Sequence, residues 1–95
     1  GHAIVSLVVD EDGVLIADPD VRLVGAPLEA KGWPASLDAM MAEAIDDAME
    51  EASARSLKTD AAIEDLAGKA VRRVATKHWG KKPMTTVIVT RLEDE

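Results

Sequence analysis

The chain has 95 residues, no cysteine, and a net charge of −7 from 11 basic and 18 acidic side chains. That length predicts one domain, 1–95, rather than two, and the lack of cysteine excludes disulfides and thiolate metal sites and suits a reducing cytoplasm. The acidic balance argues against general nucleic-acid binding, and no apolar run approaches the roughly 18–20 residues of a membrane span or forms a signal peptide, so a cytoplasmic protein without a membrane partner is expected.

Gly1-His2 reads as an expression scar and carries no functional weight in the sequence. The first element is "AIVSLVVDEDGVLIA". Val and Ile dominate residues 3–9, with Ala3, Val5, Leu7 and Val9 on one face and Ile4, Ser6 and Val8 on the other. Asp10-Glu11-Asp12-Gly13 predicts a turn, and a second strand over about 14–17 is expected to pair back as a hairpin. The alternative reading of "DEDG", the start of a calcium loop, fails because the alternating ligands and the closing glutamate are missing. Asp18-Pro19-Asp20 predicts a kink, after which "VRLVGAP" continues or resumes the strand.

Residues 25–36 hold two Gly and two Pro and read as a loop, in which Trp33 either covers one end of the core or anchors an interface. Ser36 is placed to N-cap a helix over about 37–56, with Leu37, Met41, Ala44, Ile45, Ala48 and Ala52 on one stripe. A second helix over about 60–79, capped by Thr59 or Asp60, repeats apolar residues from Ile63 to Trp79, with Gly80 as its left-handed stop and Pro83 preventing continuation. A last strand is expected at 84–92. The pattern predicts an α+β domain, order β-β-α-α-β, with a three-stranded sheet covered on one face by two amphipathic helices.

Residues 69–82 contain Lys69, Arg72, Arg73, Lys77, Lys81 and Lys82 and no acid. Two readings of this cluster stand: a solvated flank where the helix dipole favours cations, or a weak contact to RNA phosphate or to an acidic partner surface. With no Phe or Tyr, the stacking platform of single-strand RNA binders is missing. No catalytic set, phosphate loop or small-molecule site can be assembled from His2 and His78, so neither catalytic nor metal-ligating residues are expected.

Two stretches, "AIVSLVVDEDGVLIADPDV" at 3–21 and "ATKHWGKKPMTTVIVTRLED" at 75–94, resemble the C-terminal domain of ribonuclease J, in the metallo-β-lactamase/β-CASP ribonuclease family. The similarity spans almost the whole chain and is sharpest from Gly80 to Met84. It departs at Thr86 or Val87, where the family often has proline, and in the loop "GAPLEAKGWP". The resemblance implies a parent enzyme that degrades and matures RNA from the 5′ end and also cuts internally, with zinc or another divalent metal in a separate catalytic domain. It implies for this chain a non-catalytic accessory role, without a cofactor, supporting subunit association and full activity. A homo-oligomer through the sheet face is therefore expected, with Val5, Leu7, Val87, Val89 and Trp33 at the interface and the rest of the parent as a further partner.

Overall fold

A computed structural model of the chain describes residues 1–93, so the last two residues of the expected domain, and the last residue of the second quoted stretch, lie outside the described residues. Three strands, β1 (His2–Val9), β2 (Asp20–Val24) and β3 (Met84–Arg91), and two helices, α1 (Leu37–Glu51) and α2 (Asp60–His78), follow the order β-β-α-α-β. The fold is α+β, as expected. The sheet order is β2-β1-β3, which puts the first strand at the centre. It runs antiparallel to β2, from Ser6 opposite Asp20 to His2 opposite Val24. Against β3 it runs parallel along its whole length, from His2 opposite Met84 to Val9 opposite Arg91.

Side-chain alternation then builds the core. Ala3, Val5, Leu7 and Val9 share one face of β1 and are buried to 1% exposure or less. They meet Leu37, Met41, Ile45 and Met49 of α1 and Ile63, Ala67, Ala70, Val71 and Ala75 of α2. α1 packs toward β2 and α2 toward β3, so the pair covers one face of the sheet. No polar or charged residue is buried within this core among the described residues.

The hairpin differs from its expected form. The turn forms, held by the Asp10 carboxylate, which accepts from the N–H groups of Asp12 (2.9 Å) and Val14 (3.0 Å). The returning segment 14–17 makes only one bridge, Leu15 to Val9, before it bends away. Pairing resumes at Asp20, after Pro19, whose missing N–H cannot extend a ladder. The strand proper is thus the resumed one.

α1 stops five residues before its expected end. Ala52 is extended, and the Ser53 hydroxyl accepts from Ser56 N–H to open a separate 3-10 turn at Ala54–Leu57. Serine competes with helix continuation in this way through local bonding. Ser36 does occupy the N-cap of α1, but its hydroxyl makes no capping bond; its carbonyl accepts from Met40 N–H instead. Thr59 caps α2 with its hydroxyl on Ala62 N–H (3.1 Å), and Gly80 ends it at φ 80°. No described helix is long and apolar enough to cross a membrane.

Gly13 ties the turn to the 3-10 segment. It takes φ 84°, and a Cβ in its place would collide with the Leu57 carbonyl oxygen. Both the backbone angle and the contact require glycine. Gly13→Ala is expected to destabilise the domain by about 2 kcal/mol or more, and to lower the thermal midpoint followed by circular dichroism by roughly 10 °C.

Candidate functional site

Two surfaces collect the residues that could meet a partner. The first is the flank of α2. Lys69, Arg72, Arg73, Thr76 and Lys77 recur at helical spacing and join Lys82, from the segment leading into β3, around one shallow, open depression of about 480 Å³. Lys69 is partly compensated by Asp65, four residues back at 2.9 Å, though both are exposed and the pair contributes little. Arg72, Arg73, Lys77 and Lys82 have no ion-pair partner among the described residues. Lys81 lies apart, its Nζ 5.6 Å from the centroid of the Trp79 ring, a cation–π distance. Five of the six predicted cations converge, therefore, and the sixth packs on a tryptophan.

The second surface is the face of the sheet away from the helices. His2, Ile4, Ser6 and Val8 from β1, Met84, Thr86, Ile88 and Thr90 from β3, and Asp20, Arg22 and Val24 from β2 share it by alternation. Met84 is 73% exposed, Val24 61% and Ile88 51%. His2 Nε2 and Thr86 Oγ1 are 2.7 Å apart across it. Of the two residues set aside in the sequence reading, His2 opens β1, and the Gly1 carbonyl just before it accepts from Met84 N–H.

The residues expected at the interface are placed otherwise. Val5 and Leu7 lie under the helices and are not available to a partner, because their parity on β1 is the covered one. Val87 and Val89 are half-buried on that same side. Trp33 is half-buried against the core, where its Nε1 donates to the His78 carbonyl (3.2 Å) and its ring meets the His78 ring edge-on. It thereby satisfies one of the carbonyls that the end of α2 leaves unpaired. The uncovered residues are the neighbours of those named, one position along each strand.

Sequence reasoning missed Arg91. At the end of β3 its side chain is only 16% exposed. Nε and Nη2 both lie 2.9 Å from Asp60 Oδ1, Nη1 donates to the carbonyls of Asp10 and Glu11, and Nη2 donates to the Leu57 carbonyl. One guanidinium thus joins the β1 turn, the 3-10 turn and the start of α2. Its planar fork of donors suits that task, which a point-charged ammonium cannot reproduce. The signal in the sequence was slight: an arginine ending an otherwise uncharged strand.

The model of the family described as "Ribonuclease J C-terminal domain" matches residues 1–92. The chain belongs to that family. It is also 32% identical over 92 residues to a protein of Sinorhizobium meliloti named ribonuclease J, an alignment that covers 97% of this chain and 16% of that protein. The chain thus spans about a sixth of the curated relative it matches. Within this ribonuclease J C-terminal domain the two histidines hold structural positions, His2 against Thr86 and His78 against Trp33. Asp46, Asp47 and Glu50 gather within 4.8 Å on one exposed face of α1, as solvated carboxylates at helical spacing do. They lack the imidazole ligands and buried setting of a catalytic metal centre.

Arg91→Ala is expected to destabilise the domain by about 2 kcal/mol, the scale of hydrogen bonds to a charged group. Arg91→Lys should leave most of that loss in place, and urea unfolding of the two variants beside the wild type measures both effects.

Proposed function

We propose that this chain is the non-catalytic accessory domain of a cytoplasmic ribonuclease J that supports subunit assembly and, through it, the activity of the parent. The parent in this reading is a metal-dependent enzyme that degrades and matures RNA, from the 5′ end and internally, with its divalent metal held outside this segment. The observation that carries the assembly role is the uncovered sheet face, where Met84, Ile88 and Val24 expose apolar surface that water does not favour. Deleting this domain from the parent is the test. The expected result is a smaller oligomer by light scattering together with slower RNA decay. An unchanged oligomer and unchanged decay would end the proposal. Ile88→Lys in the parent should weaken assembly on its own, since it places a charge on the face without touching the core.

A second reading is favoured by the convergence of five cations on one depression, a local positive charge that suits phosphate. Here α2 adds a weak RNA contact to the parent. Binding of this chain to a fluorescent oligouridylate should then fall steeply with salt, with a log–log slope of roughly −3.5 if all five cations engage. Arg72→Ala with Arg73→Ala should flatten that slope by about one or more. Binding that ignores salt, or no binding at low ionic strength, would end this reading.

A further inference from the structure

The two edges of the sheet differ. β2 is five residues long and carries Asp20 and Arg22, paired at 3.5 Å, which are ordinary guards of an exposed edge. β3 is eight residues long, MTTVIVTR, with no charge before Arg91 and no proline or glycine. Its backbone direction is set by its ends. Met84 N–H donates to Gly1 C=O (3.0 Å) and Leu92 N–H to Val9 C=O (2.8 Å), so the even-numbered residues turn their backbone groups toward β1. Thr85, Val87, Val89 and Arg91 therefore present N–H and C=O outward. Among the described residues none of these four amides has a partner in another element. Four donors and four acceptors in a row form a template for another strand.

From this edge we infer that β3 pairs antiparallel with β3 of a second copy about a two-fold axis at Ile88, joining two sheets into one of six strands. The inference rests on the assembly reading above and gives it a register. Centred on Ile88, the outward pairs become Val87 with Val89 and Thr85 with Arg91, each able to exchange ladder hydrogen bonds. On the uncovered face Ile88 meets its own copy, Thr86 meets Thr90, and Met84 meets Leu92. Apolar residues face apolar ones and threonine faces threonine, the pairing that stabilises antiparallel strands. Moving the axis to Val87 or Val89 sets Ile88 against a threonine. Met84, Ile88 and Leu92 are each at least half exposed in the single chain.

Charge favours the same arrangement. Arg91 at the end of β3 contacts Asp60 at the start of α2, and Arg72 lines a hollow with Thr85 and Val87 near the beginning of β3. Along the helix the acids Asp60, Glu64 and Asp65 come first and Arg72 and Arg73 follow, with Glu64, Asp65 and Arg72 sharing that hollow. A two-fold antiparallel pairing turns the acidic start of α2 in one copy toward the basic half in the other. Two chains of charge −7 can approach along this edge because its strand carries no acid.

The chain contains no cysteine, which makes cross-linking clean. Strands paired about Ile88 bring the two Cα atoms to about 4.5 Å, within disulfide range. Ile88→Cys is expected to oxidise to a covalent dimer in high yield. Val8→Cys, on the same face but in the central strand, is not. Val87→Pro removes one outward N–H at an edge that tolerates proline, and should weaken self-association at least tenfold in sedimentation equilibrium. In the unmodified chain, hydrogen exchange at Thr85, Val87, Val89 and Arg91 should slow as concentration rises, a readout independent of any variant. Association without cross-linking at position 88 and without that protection would overturn the β3 register and leave an interface on the open face standing. A chain that stays monomeric to millimolar concentration would overturn both.

Discussion

The structure depends on one constraint, the placing of β1 between two strands with a single parity of its side chains sealed under both helices. Because side chains alternate strictly, slipping β1 by one residue would send Val5, Leu7 and Val9 to the open face and bring Ser6 and Val8 beneath α1 and α2. The register therefore resists change from both neighbours at once. Each candidate surface inherits its position from that choice: the open face is the parity left over, and the basic flank runs along α2 beside the segment that leads into β3.

Around this centre, the lower end of the domain is closed by polar rather than apolar means. Arg91 gathers carbonyls from the β1 turn and the 3-10 turn together with the Asp60 carboxylate. Gly13 lets the same two turns touch. These segments are irregular, and their backbone carbonyls cannot all be satisfied by ladder or helix bonding. A single five-donor side chain at the end of an edge strand resolves that shortage. At the opposite end the Trp33 indole serves the last turn of α2 in the same manner, so both ends of the helix layer are finished by side chains from distant sequence.

Much of this was legible in the residues. The 3.6-residue period of α2, its Thr59 cap and its Gly80 stop placed that helix to within a residue, since each signal acts locally. The β2 position was misjudged because Val14, Leu15 and Ile16 have strand-like side chains, whereas the bend before Pro19 decides where pairing resumes. The choice of covered face was hidden for a different reason. Both parities of β1 are rich in Val, Leu and Ile, so hydrophobicity alone cannot assign the helices to one of them. Most polar members mark it: Ser6, Thr86, Thr90, Asp20 and Arg22 fall on the open side, and only Thr85 and Arg91 share the other parity. Arg91 was beyond reach, because its partners come from three separate segments that only the fold brings together.

The parallel pairing of β1 with β3 has a consequence for how the molecule is made. A hairpin can form as soon as its two strands exist, but residues 2–9 must wait for residues 84–91 before the second edge of β1 is occupied. Such distant pairing is slow, because loop-closure entropy must be met before the contacts that reward it appear. Until β3 is in place, one edge of the central strand lacks its ladder partner. The domain is therefore complete only when its first and last strands meet, and Arg91, at the end of that last strand, joins the turns behind it.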